Sequence, residues 1–530
     1  MNTPAIMASV PSFPRRSSPV DRRTFLLGGA ALAAAAFLPV RANGGAARLS
    51  AYPFALGVAS GDPAADGFVL WTRLAPRPLE PRGGMPSASA EVLWEVAVDE
   101  RMAQVVRRGT ATASPDWAHS VHVEVEGLEP DRWYWYRFIA GGEASPTGRT
   151  RTLPAPDALP ERLRFAFASC QKYEVGYFTA YEHMVREDID LVLFLGDYIY
   201  ENTDGIDAVR AHGLPQAFAL DDYRLRYALY KTDPALQAAH AIAPWIVTWD
   251  DHEVSNDYAG ECTEHPGPGD PARFLLRRAA AYRAYYEHMP LRRAAMPVGS
   301  DLRLYRRFDF GRLARFNVLD TRQYRTDQPA GPRLQPVGPK LQEPTATMLG
   351  SDQLAWLFES LDHSPAQWNV LAQQVLMAPV DRVSGPDEVV DVDKWAGYEF
   401  ERRRLLRHFR EKNIANPVVL TGDKHNNWAN ELLLDSGDSV ERPVGVEFLG
   451  TSISSGGDGA DQPEYVTELL AENPCVKYHN NERGYVCCEI TPANWRSDFR
   501  TIPYVTRRGA PCQTRASFVI KNGAPQLHRV

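Results

Sequence analysis

Two patterns of hydrophobic residues divide the chain, and the change between them falls at a cluster of prolines. Between Phe54 and Leu153 the apolar residues come in short runs rich in Val, Trp, Tyr and Thr, punctuated by Gly, Pro and Asp; Phe68-Val69-Leu70-Trp71-Thr72 and Val92-Leu93-Trp94-Glu95-Val96 are examples. β-Branched and aromatic side chains suit a pleated, half-buried surface, so this stretch reads as an all-β sandwich. After Pro154, Pro156 and Pro160 the runs become nearly continuous: Arg164-Phe165-Ala166-Phe167-Ala168, Leu191-Val192-Leu193-Phe194-Leu195, Ile246-Val247-Thr248-Trp249, Phe316-Asn317-Val318-Leu319, Trp368-Asn369-Val370-Leu371 and Pro417-Val418-Val419-Leu420. Strands buried on both faces have this character. Helical spacing between them, as at Phe178, Tyr181, Met184 and Val185, predicts strands alternating with helices.

The boundaries follow as 43–157 for a β domain and 158–530 for an α/β domain. A chain of 530 residues exceeds the size at which one core keeps growing, which agrees with two domains. Within the first, Gly127 to Asp131 forms a turn before the alternating aromatics Trp133, Tyr134, Trp135, Tyr136 and Phe138, as at the corner of an immunoglobulin or fibronectin type III-like domain.

Residues 1–42 read as an address. Arg22-Arg23 precedes Thr24-Phe25-Leu26, an uncharged apolar run extends from Leu26 to Val40, and Val40-Arg41-Ala42 ends on a small residue suited to cleavage. This is the form of a twin-arginine signal, which implies the twin-arginine export machinery as a partner and a periplasmic or secreted location. The run is too short to span a bilayer comfortably, so no transmembrane helix is expected in the mature chain; an uncleaved N-terminal anchor is the alternative. Twin-arginine export carries folded proteins, which suits an enzyme that takes up metal before it leaves the cytoplasm.

Composition excludes little beyond one class. Hydrophobic residues make up 44% and charged residues 23%, and the net charge of -8 gives no polyanion-binding surface, so no stable nucleic-acid partner is expected. A single phosphate group can still be held by bound metal ions, whose charge dominates locally. The six cysteines, at 170, 262, 475, 487, 488 and 512, permit disulfides without defining their connectivity. Cys487 and Cys488 are neighbours in a predicted strand and point to opposite faces.

Chemistry concentrates at the ends of four predicted strands. They run into Ala168-Ser169-Cys170-Gln171, Gly196-Asp197-Tyr198-Ile199-Tyr200-Glu201, Asp250-Asp251-His252-Glu253 and Thr421-Gly422-Asp423-Lys424-His425-Asn426. Ligands enter open α/β sheets at the carboxyl ends of strands, so these clusters can converge on one point. Cys, Asp, Tyr and His converging at one rim is the composition of a metal site.

The order of the clusters resembles the motif series of calcineurin-like metallophosphoesterases. Cys170 stands where the usual first Asp-x-His falls, Asp250-Asp251 replace Gly-Asn before His252, and Asp423 replaces the first His of the last motif. With Trp249 to Glu253, Leu319-Asp320-Thr321-Arg322-Gln323-Tyr324-Arg325 and Gly57-Val58-Ala59-Ser60-Gly61-Asp62-Pro63, these departures look like the PhoD-type alkaline phosphatases. The resemblance implies a four-layer αββα sandwich behind the β domain and hydrolysis of phosphate monoesters or diesters by metal-activated water. Tyr200, three residues after Asp197 as in purple acid phosphatases, would join Cys170, Asp197 and His425 as ligands of ferric iron (Fe3+). Asp197 would bridge to calcium (Ca2+), held also by Asp251 and Asp423. His252 would stabilise the transition state or protonate the leaving group, with Glu253 orienting it. Arg322, Tyr324 and Arg325 would position substrate oxygens, with Asp393, Trp395 and Tyr398 as weaker candidates. Gln373 or Gln374 would supply a further ligand, and strand alternation does not choose between them.

Each residue has a plainer reading when taken alone: Cys170 as a buried thiol or half of a disulfide, Asp197 as a cap, Tyr200 as packing and His425 as a core histidine. The joint pattern is what favours a metal site. His183, His240, His265 and His288 lack a second ligand-type residue at matching spacing and read as surface or packing residues. Arg277-Arg278 and Arg402-Arg403-Arg404 read as solvated helix faces, and Ser60-Gly61-Asp62-Pro63 as a turn. Two other functions fit the same chain: a phospholipase D acting on lipid head groups, and a non-catalytic surface-binding protein with a degenerate metal site.

Overall fold

The computed structural model describes residues 51–203, 205, 208–263, 270–434 and 442–530. The signal at 1–42 and His265 lie outside the described residues.

Two mixed sheets face each other. In the first, Leu163–Ala168, Leu191–Leu195 and Trp245–Thr248 run parallel side by side. Antiparallel strands Arg483–Ile490, Asn494–Ile502, Gln513–Lys521 and Ala524–Arg529 extend one edge of it. In the second, Ala314–Val318, Trp368–Ala372, Pro417–Thr421 and Gly445–Leu449 are parallel, flanked by the antiparallel Arg306–Phe310, Asn427–Leu432 and Val476–Asn480.

The continuous apolar runs are explained by these strands having a core on each face. Leu191, Leu193 and Leu195 enter the core between the sheets, while Val192 and Phe194 enter the outer core of the first sheet. Val418 and Leu420 likewise face inward and Val419 outward on the second sheet. Helices close both outer faces: Leu220–Lys231, Pro234–Ile242 and Pro271–His288 over the first sheet, Gly350–Asp362 and Glu399–Glu411 over the second. The layers are therefore helix, sheet, sheet, helix. Burying each Val, Leu or Phe contributes roughly 1.5–3 kcal/mol, so the strands are held firmly enough to place the loops at their ends. Sequence also starts the helices: Asp270 caps Ala272 N at 3.0 Å with Pro271 in the first turn.

The N-terminal region is all β. Ala90–Ala97, Val105–Ala113, Trp133–Ala140, Glu143–Ala144 and Gly148–Arg151 form a five-stranded sheet. Val58–Ala64, Gly67–Arg73 and Ser120–Val125 instead continue the ten-stranded sheet, joined to it where Gly61 pairs with Trp245. Phe68, Leu70, Val92, Val96, Tyr136 and Phe138 fill the core of this region. At its corner the Tyr134 hydroxyl accepts from Glu129 N at 3.1 Å.

Several expectations change. Ser60 to Pro63 lies within a strand, not a turn, with a local break in register. The buried Asp62 carboxylate accepts from Arg306 Nε at 3.0 Å and Arg292 N at 3.2 Å, and these bonds override the turn preference of Gly-Asp-Pro. Arg278 and Arg402 are buried, not solvated: Arg278 donates to Gly260 O and Ser300 O in loops over its helix, and Arg402 pairs with Glu399 one turn earlier on its own helix. His240 stacks on Trp245 and His288 on Tyr227, which makes both packing residues. His183 bonds the Ala510 carbonyl. All six cysteines are free thiols, and Cys487 and Cys488 face opposite cores. No helix of the described residues is long and apolar enough to cross a membrane.

Candidate metal centre

At the carboxyl ends of the parallel strands the backbone turns sharply. Cys170, Asp197, Asp423 and His425 take left-handed conformations, with φ of 58°, 56°, 65° and 58°. Each such residue costs about 1–3 kcal/mol, strain that the packed strands can hold. Gly196 has φ 107°, and a Cβ there would lie 2.5 Å from Asp250 Cβ and Asp250 N. Only glycine lets the loop after Leu191–Leu195 press against the loop after Trp245–Thr248. Glu253 ties the two together, accepting from Asp197 N at 3.0 Å, Tyr198 N at 2.5 Å and Asp250 N at 2.8 Å.

These turns bring the predicted ligands into three overlapping groups. Cys170, Asp197 and His425 offer donor atoms within 4.8 Å of one another; so do Asp197, Asp251 and His252, and so do Asp250, Asp251 and Asp423. The Tyr200 hydroxyl donates to Asp197 Oδ2 at 3.0 Å and lies 3.1 Å from His425 Nε2. Asp197 stands where two of the groups meet. Asp250, to which sequence reasoning assigned no role, belongs to the third, and its buried Oδ2 has no hydrogen-bond partner.

Cationic side chains back the carboxylates. Arg322 is fully buried; it bonds Asp250 through Nε and Asp393 through Nη1, and lies 3.7 Å from Asp251 and 3.5 Å from Asp423. Arg325 bonds Asp393. Both arginines lie buried against the acidic wall, and Arg322 Nη2 is left without a hydrogen-bond partner. Lys394, missed in the sequence, pairs with Asp423 at 2.6 Å and Asp393 at 2.9 Å. Tyr324 packs on Tyr305, Trp395 donates to Gln373, and the Tyr398 hydroxyl donates to Thr326 O.

Two further expectations are corrected. Neither Gln373 nor Gln374 has an amide to spare: Gln373 bonds Thr421, Val375 and Trp395, and Gln374 bonds Thr321, Thr248 and Leu319 O. Buried amides are satisfied by their nearest polar neighbours, and here those are protein groups. Glu253 does not orient His252, since its oxygens are taken by backbone N–H groups. The carboxylate at His252 Nδ1 is Glu201 Oε2, 2.7 Å away, itself fixed by Asn256 N at 3.0 Å. Glu201 was visible in the Gly196 to Glu201 cluster, but nothing in the spacing marked it.

The site is short of positive charge. Burial, then the carboxylates around it, raises Asp197 well above the usual range despite His252, and burial followed by Asp197 does the same to Cys170 and Tyr200. Burial lifts Asp250 to about 7 against the pull of Arg322, and Glu253 to about 8. His252 goes the other way: burial opposes its charge, but Glu201, Asp197 and Asp251 raise it well above an ordinary histidine. Burial and the cations Arg483, His252 and Lys394 push His425 down to about 3, leaving a neutral ring with one nitrogen lone pair able to ligate. A thiol, a phenol and several carboxylates in this state are the groups that a bound cation would ionise.

Comparison with known proteins identifies the family. The profile of the PhoD-like phosphatase family matches residues 165–499, and that of the PhoD-like phosphatase N-terminal domain matches 40–154. Alkaline phosphatase D of Bacillus subtilis (strain 168) is 49% identical over 522 residues, covering 96% of this chain and 89% of that protein. A solved structure of PhoD superposes with TM-score 0.89 at 50% identity, covering 91% of this chain and 92% of that one. Purple acid phosphatase 23 of Arabidopsis thaliana is 33% identical over 87 residues, 15% of this chain and 18% of that protein. The chain thus belongs to the PhoD-like phosphatase family and is a phosphoric ester hydrolase.

Proposed function

We propose that this phosphatase is exported and hydrolyses phosphate monoesters or diesters with two cations held at the strand ends. The donor set of Cys170, Asp197, Tyr200 and His425 suits ferric iron, because thiolate and phenolate are strong anionic donors for a highly charged ion. Asp197, Asp251 and Asp423, with the orphaned Asp250 oxygen beside them, form an oxygen-rich set that suits calcium. When bound, the cations supply Lewis acidity toward phosphate oxygens and acidify the attacking water.

The chain's own residues contribute the rest. Asp197, common to two groups, serves as the shared ligand. His252, held at Nδ1 by Glu201, keeps its other ring nitrogen for the proton that the leaving oxygen needs. Arg322 and Lys394 keep the carboxylates ionised and in place. Arg22-Arg23 ahead of an uncharged apolar run supports twin-arginine export.

The observation that carries this reading is the convergence of Cys170, Asp197 and His425, which come from three separate strand ends, within ligand distance of one another. Assay of the purified protein with iron and calcium on p-nitrophenyl phosphate and bis-p-nitrophenyl phosphate tests it. Turnover of one or both is expected, and failure on both would reject hydrolysis by this site.

A further inference from the structure

We propose that Ser455 and Arg483 tune Tyr200 as a metal ligand, Ser455 by a hydrogen bond to its oxygen and Arg483 as counter-charge to anionic Cys170 and Tyr200, resting on the reading of Tyr200 as a ligand of ferric iron.

Ser455 Oγ lies 2.7 Å from the Tyr200 oxygen. The same Oγ accepts from Lys172 N at 3.0 Å, so the one proton of the hydroxyl is left for Tyr200. Arg483 secures this loop from beneath, its Nη1 donating to Ser455 O at 2.7 Å and Ser452 Oγ at 2.9 Å. Across Gly456 it approaches the ligand side of the site: a Cβ on Gly456, whose φ is 85°, would lie 3.1 Å from Arg483 Nη1 and 4.0 Å from His425 Nδ1.

Arg483 is 2% exposed, its Nε has no hydrogen-bond partner, and among the described residues no carboxylate pairs with it directly, Asp458 acting only from further away. A buried guanidinium without an anion is costly, and the cost falls when anions form beside it. Ser455 N also donates to Cys170 O at 3.3 Å, so the loop that Arg483 holds lies against both ligands. Cys170 and Tyr200, once a bound cation ionises them, would be the anions nearest the loop that this charge supports. Sequence alone could not show it, since Arg483 lies more than two hundred residues beyond either ligand.

A hydrogen bond to a phenolate lowers the energy of its donor electrons, and a nearby cation makes a ferric centre easier to reduce. Visible absorption and reduction potential of the iron-loaded full chain test both roles. Ser455→Ala should move the phenolate-to-iron band to longer wavelength, and Ser455→Thr should restore it. Arg483→Gln should lower the potential, whereas Arg483→Lys, which keeps the charge, should hold it near the wild-type value. A colourless ferric wild type would overturn Tyr200 as a ligand and this inference with it. A coloured wild type whose band stays fixed in Ser455→Ala would overturn the role of Ser455 alone. A folded Arg483→Gln with the wild-type potential would overturn the counter-charge; should that variant fail to fold, an Arg483→Lys potential well below wild type would overturn it instead.

Discussion

His252 Nδ1 and Glu201 Oε2 lie 2.7 Å apart, and the Tyr200 ring packs 4.1 Å from the His252 ring. The carboxylate fixes the ring's orientation and raises its basicity, which suits the proposed role of His252 in passing a proton to the leaving group. His252→Ala should lower kcat by roughly 10²–10⁴-fold while metals stay bound. Glu201→Gln should cost less, roughly 10–100-fold, with KM little changed. Steady-state kinetics beside metal analysis decides: loss of metal in His252→Ala would make it a ligand and not an acid.

Gly196 offers a test of the scaffold. Its φ of 107° and the 2.5 Å approach of Asp250 leave no room for a Cβ. Gly196→Ala should push apart the loops carrying Asp197 and Asp251, destabilising the fold by at least about 1–3 kcal/mol and weakening metal retention together. Urea unfolding with metal analysis would show it. Wild-type stability and metal content in this variant would mean that the loops are not in register-tight contact.

Lys231 gives a pH dependence that is independent of the metal site. Burial lowers its pKa from the ordinary 10.5 to about 7. Between those values the unfolded chain binds the proton and the folded chain does not, so stability rises with pH and is lost as pH falls from 10.5 toward 7. The slope is at most about 1.4 kcal/mol per pH unit. The Trp71 ring, 4.2 Å from Nζ, favours the charged form and trims the effect. Lys231→Met should be more stable than wild type near pH 7, with the gap closing toward pH 10. Equal stability at both pH values would show that the amine finds solvent.

Much of this centre is legible in the chain before folding, for a physical reason. Strands with a core on each face must be continuously apolar, so Cys170, Asp197, Asp251 and Asp423 stand out as polar residues directly beyond such runs. Tyr200 and His425 follow by short spacing. The remainder depends on which loops touch. Glu253 adjoins His252 in sequence and Glu201 lies 51 residues before it, yet the fold gives Glu201 to the imidazole and Glu253 to backbone N–H groups. Gln373 and Gln374 leave a strand where alternation ends, and protein partners absorb both. Ser60 to Pro63 reads as a turn in sequence, and its place within the strand Val58–Ala64 of the ten-stranded sheet comes from Gly61 meeting Trp245, a contact that no local pattern announces.

Asp197 joins the Cys170–His425 group to the Asp251 group, so the metal content of Asp197→Asn measures the shared-ligand centre most directly. Elemental analysis of the wild-type protein should find iron and calcium together. The variant should lose both, with turnover of p-nitrophenyl phosphate falling by several orders of magnitude. An active wild type free of metal, or a variant that keeps both ions, would contradict a centre built around this carboxylate.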